Sequence, residues 1–498
     1  MYCYKILAVV AVFWAPTTAL VLDPRAASAG PAACANLTLR LGDSKVESDK
    51  YSPSYLYTKY DYWNAQQSKY TPSCIAYPSS AKDVSEIIQA VRAAGSRFAI
   101  KAAGHNPNTF FSSVDAGVLI DLNRMTAKSY DAETTLATYE PGGDFGEIYE
   151  YFIQYNRTVV GARLSGVGTG LALGGGLSYL SPQYGMACDG FKQLEVVLPS
   201  GEIVNASTTE NPDLFFACRG GGGNAYGVVT KYTVQSRPVG TFTAGNLVYL
   251  FEKNDAILQA IGNFTLYNTD PKASIIGTYE RLFLPSGGLN LDSAIIMFLV
   301  YDGEDPGDVF KNFTSIPAVL NTISKKTYLD VVNMPLPIAT EISRGDNIFR
   351  VAAHSISETD KTYAAAYDAW SKWCDTHKGS YVLSSLDFQP VPRSLTDASA
   401  SQGGNAMQMP SGPWIWLNFL ITTPRGMPKA NYDAVQASFR DMVASVPSAK
   451  GLPLFINDAS YDQNPLSTFS SYKRLQGIKA KYDPEGFFAQ YTGGWSFS

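Results

Sequence analysis

The chain has 498 residues, 45% hydrophobic and 17% charged, with 39 Lys and Arg against 44 Asp and Glu. That length and balance exclude a single small core and a disordered chain, and predict two to four ordinary domains. No basic run of five or more residues occurs, so no nucleic-acid partner is expected. An anionic cofactor remains open, because backbone N–H groups can hold one without Lys or Arg.

Lys5 precedes an apolar run over residues 6–15, and Thr17-Thr-Ala19 offers small residues for cleavage. Residues 1–19 therefore read as a signal peptide, too short to span a bilayer. No later segment approaches transmembrane length, and secretion is expected. Loss of the signal removes Cys3 and leaves Cys34, Cys74, Cys188, Cys218 and Cys374. The odd number leaves at least one thiol free or paired between chains. Five sequons, at Asn36, Asn156, Asn205, Asn263 and Asn312, favour a glycoprotein.

Residues 20–50 read as a short tail, and the tyrosine-rich stretch 51–70 as a segment that wraps the body or lines its rim. A strand is expected at 74–76. Ser80 then opens a helix that places Val84, Ile87, Ile88 and Val91 on one face, and Gly95 stops it. Strands follow at 98–101 and 118–121. A helix is expected over 145–154, and a hairpin around Pro199-Ser-Gly201 joins strands at 193–198 and 202–205. Gly220–Gly223 precede a strand at 226–234. Beyond Pro238 the glycine clusters cease. Strands such as 295–300 and 414–421 alternate with amphipathic helices such as 362–377, which predicts a second domain, antiparallel with helices on one side. No internal repeat is present.

The common nucleotide and hydrolase motifs are missing. The Gly166-Val-Gly-Thr-Gly170 and Gly174-Gly-Gly176 runs fit neither the Rossmann fingerprint nor a P-loop, and there is no G-x-S-x-G or H-E-x-x-H. His105, His354 and His377 lie far apart without Cys or His at ligand spacing, so no metal is expected. In Lys101-Ala-Ala-Gly-His-Asn106 a strand ends, small residues follow and a His stands at the loop tip. Two readings fit: a turn with a solvated His, or backbone amides that approach a pyrophosphate with His105 beside its cargo.

An ordered set of segments extends the second reading: Ala102-Ala-Gly-His105, Leu119-Ile-Asp-Leu122, Ser165-Gly-Val-Gly-Thr-Gly170, Leu173-Gly-Gly-Gly176, Tyr184-Gly185, Asp189, Asn211-Pro-Asp-Leu-Phe215, Arg219-Gly-Gly-Gly-Gly-Asn224, Tyr226-Gly-Val-Val-Thr230 and Tyr482-Asp-Pro-Glu-Gly-Phe-Phe488. The set resembles the berberine bridge enzyme-like branch of the vanillyl-alcohol oxidase/p-cresol methylhydroxylase flavoproteins. That resemblance implies an α+β fold. A two-subdomain PCMH-type FAD-binding region would span 70–240 and an antiparallel-sheet substrate domain 241–450. A C-terminal segment, 451–498, would return to the FAD region. It implies FAD bonded covalently to His105, with Ala102, Ala103, Gly104 and Asn106 as the pyrophosphate loop. Gly166, Gly168, Thr169, Gly170, Gly174 and Gly175 would lie along the cofactor, with Asp189 and Val228 in the same set.

Relatives with a second tether carry a Cys where this chain has Arg163-Leu-Ser-Gly166, so a single link is expected and Cys188 reads as a packed thiol. Cys34 and Cys74 flank the start of the FAD region and are the expected disulfide. Where bicovalent relatives have Tyr-x-Asn-Tyr, this chain has Phe455-Ile-Asn-Asp458. Asn457 remains available to flavin or substrate. The implied activity is hydride removal from a C–H of a small secondary metabolite, with O2 as acceptor giving H2O2. The alternatives are an oligosaccharide oxidase, which the missing Cys and Tyr weaken, a cyclase on the same fold, and a non-enzymatic FAD-binding protein. Asp458 and Tyr461, with Asn418 only as a hydrogen-bond partner, are the candidates for handling a substrate proton, each better explained as a polar residue at a strand or loop end than as a catalytic one. Trp414, Trp416 and Phe419 suit either a planar substrate or plain core packing.

Overall fold

A computed structural model describes residues 29–498 except 284–293, 335–344, 360–361, 496 and 498; the expected signal peptide lies outside the described residues. The fold is α+β.

The first sheet has the order β1-β2-β4-β3, from Val46–Glu47 (β1), Cys74–Ala76 (β2), Phe98–Lys101 (β3) and Val118–Asp121 (β4). β4 runs parallel to both β2 and β3. The helix Ala81–Ala94 crosses between β2 and β3. Ser80 Oγ accepts from the Asp83 amide at its start, and Gly95 ends it in the left-handed conformation at φ 64°. Its Val84, Ile87, Ile88 and Val91 are buried, as the spacing predicts.

The expected tail is corrected here. Residues Gly30–Leu41 form a helix whose Ala33, Cys34 and Leu37 are buried, and Cys34 is disulfide-bonded to Cys74. Ala33 and Leu37 are one helical turn apart, a stripe too narrow to stand out in an Ala/Gly/Pro-rich stretch.

Lys128–Asp131 (β5), Leu136–Tyr139 (β6), Phe191–Val197 (β8), Ile203–Ser207 (β9) and Val228–Gln235 (β10) form an antiparallel sheet of order β5-β6-β10-β8-β9. The expected hairpin around Pro199-Ser-Gly201 joins β8 to β9, with Gly201 at φ 89°. A short ribbon of Arg157–Thr158 (β7) and Arg237–Pro238 (β11) leads into the third sheet.

That sheet is antiparallel with the order β15-β12-β14-β13-β18-β19-β17, and β16 also pairs with β12. Its strands are Phe242–Tyr249 (β12), Ala273–Leu282 (β13), Ala294–Tyr301 (β14), Leu320–Asn321 (β15), Ser324–Lys326 (β16), Asp346–Ser355 (β17), Leu383–Val391 (β18) and Trp414–Thr423 (β19). Helices Asn254–Tyr267, Thr362–Thr376 and Lys429–Ala444 cover one face through Ile261, Phe264, Trp370, Trp373 and Phe439. The other face turns toward the second sheet. Trp414 and Trp416 lie on that inner face and Phe419 on the helix-covered one, because successive strand residues alternate. All three are at most 1% exposed. They are core rather than the wall of a substrate pocket. The C-terminal segment packs Phe487 and Phe488 against Phe98 of β3. The sequon residues Asn36, Asn156 and Asn312 are exposed, and Asn205 and Asn263 half-buried.

Lys101 ends β3 with its side chain only 3% exposed, 3.6 Å from both Asp61 and Asp121. Removing a buried charge leaves its partners uncompensated. Lys101→Met should cost about 3–5 kcal/mol in a chemical denaturation series.

Candidate active site

Three stretches remote in sequence meet below β3, two of them main chain to main chain and the third through the Asn457 side chain. A Cβ on Gly168 would stand 2.8 Å from the Ala103 amide nitrogen, and one on Gly174 would stand 2.2 Å from Asn457 Oδ1. Gly104, Gly175 and Gly176 take φ of 70°, 101° and 79°, which side chains rarely adopt. Asn457 Nδ2 donates to the carbonyls of Leu171 and Gly174, at 3.0 and 3.3 Å. The amides of Ala103 and Gly104 have no acceptor among the described residues, although Gly104 is buried.

The tyrosine-rich stretch does more than wrap. Residues 61–67 strap the His105 loop in place. The Trp63 amide donates to Gly104 O at 3.2 Å, Asn64 Nδ2 to Pro107 O, and Gln67 Nε2 to Asn106 O at 2.5 Å. Asn64 also exchanges hydrogen bonds with the Asn347 main chain on β17, each 3.1 Å. The Trp63 indole stacks on the His105 ring at 5.0 Å between centroids.

Strand alternation sets polar side chains on the inner face of the third sheet. Thr278, Asp387, Asn418 and Val351 form one cross-strand row, and Glu280, Ser385, Leu420 and Phe349 the next. Rows on one face are about 7 Å apart, two residues along a strand. Gln389 lies two residues beyond Asp387 and bridges the layers. Its Oε1 accepts from Arg163 Nη2 at 2.5 Å, and its Nε2 donates to Asp458 Oδ2 at 2.7 Å. Arg163 precedes the Gly166 run, and Asp458 follows Asn457. The polar patch therefore faces the glycine backbone directly.

Burial governs the acids. Asp387 keeps some exposed area, yet its carboxyl lies deep between the layers. Desolvation and nearby Asp458 push it up to about 7, against Thr278 and Arg163. Glu280 is likewise pushed up to about 7, by desolvation and then by Asp387. Burial also raises Asp458, opposed by Arg163 and the Gln389 hydrogen bond.

The structure thus brings Asn457, Asp458 and Asn418 to one cleft. Asn457 serves as a backbone clamp, and Asn418 Oδ1 is buried without a hydrogen-bond partner. It does not bring Tyr461. That residue is 51% exposed and receives a hydrogen bond from Gln436 of a helix on the far face. The chain turns outward after Ala459 to run past edge strand β17, where Asp462 pairs with Arg350. Asp189 lies in the interior behind the glycine runs, bound by the Met186 amide, Asn405 and Arg219. Val228 is packed in the core beneath the first sheet. Asn106 and Gly166 are exposed on their loops, Gly170 is exposed at the start of the short helix Gly170–Leu173, and Thr169 is buried with its hydroxyl on Pro141 O. Cys188 is buried. In the sequence Trp63 stands out only as one member of the aromatic stretch 51–70, and Glu280, Asp387 and Gln389 belong to no motif. The signal available was acidic and amide residues at every second position of otherwise apolar strands.

A separate cavity of about 410 Å³ lies between the helices Pro212–Cys218 and Arg393–Ser401. Its lining includes Arg219 and Arg474 but no carboxyl, so acid–base work falls to the inter-layer cleft despite this cavity's size. Among the described residues no group of three His, Cys, Asp or Glu could hold a metal, and no helix is long and apolar enough to cross a membrane.

A glycine-lined main-chain surface facing an acidic sheet defines a cofactor-dependent oxidoreductase site. Residues 72–207 match the FAD binding domain family, and residues 469–493 match "Berberine and berberine like". An uncharacterized FAD-linked oxidoreductase of Arthroderma benhamiae is 33% identical over 485 residues, 92% of this chain and 94% of that one. The bifunctional solanapyrone synthase of Alternaria solani is 29% identical over 458 residues, covering 89% and 85%. Berberine bridge enzyme from Eschscholzia californica shares the fold at a TM-score of 0.73 and 16% identity, covering 93% of this chain and 98% of that one. The chain belongs to the berberine bridge enzyme-like FAD-linked oxidoreductases.

The residues present fit FAD: acceptor-free amides at Ala103 and Gly104 suit a pyrophosphate, and the glycine runs admit a flat ring close to main chain. Gly174→Ala should displace Asn457 and the tail it anchors. The expected result is a loss of about 1–3 kcal/mol in thermal melts, with lower flavin content per chain by absorbance.

Proposed function

We propose that the protein is a secreted, glycosylated oxidase that carries FAD covalently on His105 and removes hydride from a C–H of a small secondary metabolite. The observation that carries the reading is the Thr278–Asp387–Asn418 row facing the glycine backbone, with Asp387 pushed to about 7. Bound FAD supplies the hydride acceptor, and O2 is the proposed final acceptor, yielding H2O2.

The remaining tasks fall to this chain's own side chains. Asp387, ionised, takes the proton of a substrate O–H or N–H as the C–H electrons leave. A base near neutrality combines a useful ionised fraction with real proton affinity. Asp458 suits that role less, because Gln389 and Arg163 already engage it. Glu280 neighbours Asp387 and disfavours a second charge there. Gln389 holds Arg163 and Asp458 in register, so the cleft keeps its shape when a proton moves.

For the tether, an imidazole nitrogen of His105 would bond to the ring-methyl carbon of bound FAD as its N–H and one methyl C–H break. The C–H electron pair and both protons would pass from the bound FAD to O2, which would leave as H2O2. Support comes from the position of His105 in the loop whose amides suit the pyrophosphate.

Acid precipitation should leave flavin absorbance in the wild-type pellet, and His105→Ala should release it; a colourless wild-type pellet would refute the covalent claim. With a turned-over substrate, kcat/KM should rise with pH and level off above about 7, since the active base is the ionised form. Asp387→Asn should lower kcat by about 100-fold or more and abolish that rise. A wild-type profile in Asp387→Asn would assign the base elsewhere.

A further inference from the structure

The plane of the imidazole matters for attachment, and a packed aromatic neighbour can fix it. The residues before His105 are Ala, Ala and Gly, and the second side-chain torsion of His is broad and roughly two-fold. Yet the lone pair that must meet the flavin methyl carbon lies in the ring plane. The plane therefore decides whether that nitrogen points at the carbon or past it.

Trp63 supplies a constraint on that plane. Its indole lies 5.0 Å from the His105 ring between centroids, with only 12° between planes. The same indole stacks on Phe349 of β17 at 5.2 Å and 13°. Trp63 and Phe349 pack against Leu282, Leu383 and Leu420 on the inner face of the third sheet. The Trp63 main chain is tied to Gly104 O, one residue before His105, and the next residue, Asn64, is tied to Asn347. The His105 plane is thus referred through one indole to the sheet that also carries Asp387.

We infer that Trp63 is the positioning residue that orients His105 for attachment of FAD. The inference rests on the covalent reading above, and the bond and electron changes are those given there. Trp63 touches no reacting atom. It acts by holding the nucleophile in its attack geometry, where small misplacements cost rate steeply.

The test compares wild type with Trp63→Phe, which keeps a flat stacking ring, and Trp63→Leu, which keeps apolar bulk without one. For each, flavin bound to the native protein is measured by absorbance, and flavin surviving acid precipitation gives the covalent fraction. Thermal melts report folding. Trp63→Phe should keep the wild-type covalent fraction. Trp63→Leu should still bind FAD, with attachment slowed about tenfold or more when FAD is added to apoprotein. Equal attachment in Trp63→Leu and Trp63→Phe overturns the inference. So does parallel loss of total and covalent flavin in Trp63→Leu, which marks a purely structural role. If Trp63→Leu does not fold, Phe349→Leu gives the same readout, because it removes the support behind the indole; unchanged attachment there also overturns it. Absence of covalent flavin in wild type refutes the covalent reading itself, a result distinct from either of these.

Discussion

The close approach of other segments to one bare glycine run underlies everything else in the molecule. Gly168 and Gly174 leave no room for a Cβ, so the loop after β3 meets the run main chain to main chain and the tail meets it through the Asn457 side chain. Such a surface offers amide dipoles to an anion at close range, without a single Lys or Arg. It is also fragile, since glycine loses the most conformational freedom on folding. The cost is offset by large cores on either side and by the Asn457 clamp on Leu171 and Gly174.

Chemistry enters from the opposite wall. An antiparallel sheet with helices on one face commits half of its side chains to the core and frees the other half. Here the freed half carries Thr278, Glu280, Asp387, Gln389 and Asn418 in adjoining rows. Two carboxyls near 7 in a partly desolvated cleft are ready to exchange protons around neutral pH. Gln389 is the hinge between walls, because it accepts from Arg163 on one side and donates to Asp458 on the other.

The strap of residues 61–67 gives these walls a common frame. Its hydrogen bonds reach the His105 loop and strand β17 alike, so that loop and the acidic rows cannot drift independently. Trp63 extends the frame into the imidazole plane itself. The relatives share the overall arrangement at 33% identity or below, and the fold persists at 16%.

Much of this was legible in the chain alone. Local rules placed the helix Ala81–Ala94, its Ser80 and Gly95 caps, the Pro199-Ser-Gly201 hairpin and the long strands of the third sheet. Each depends on residues a few positions apart. The ordered glycine and His segments identified the flavoprotein family, and with it the place of His105. Other features depended on partners hundreds of residues away. Whether Trp416 faced a ligand or a core, and whether Asp458 or Tyr461 entered the cleft, was decided by packing and by an outward turn at one edge strand. The helix Gly30–Leu41 hid within a composition suited to a tail. Asp387 is an ordinary strand residue until the layers close over it. Its pKa, like the orientation of His105 by Trp63, arises from desolvation and contact that exist only in the assembled tertiary structure.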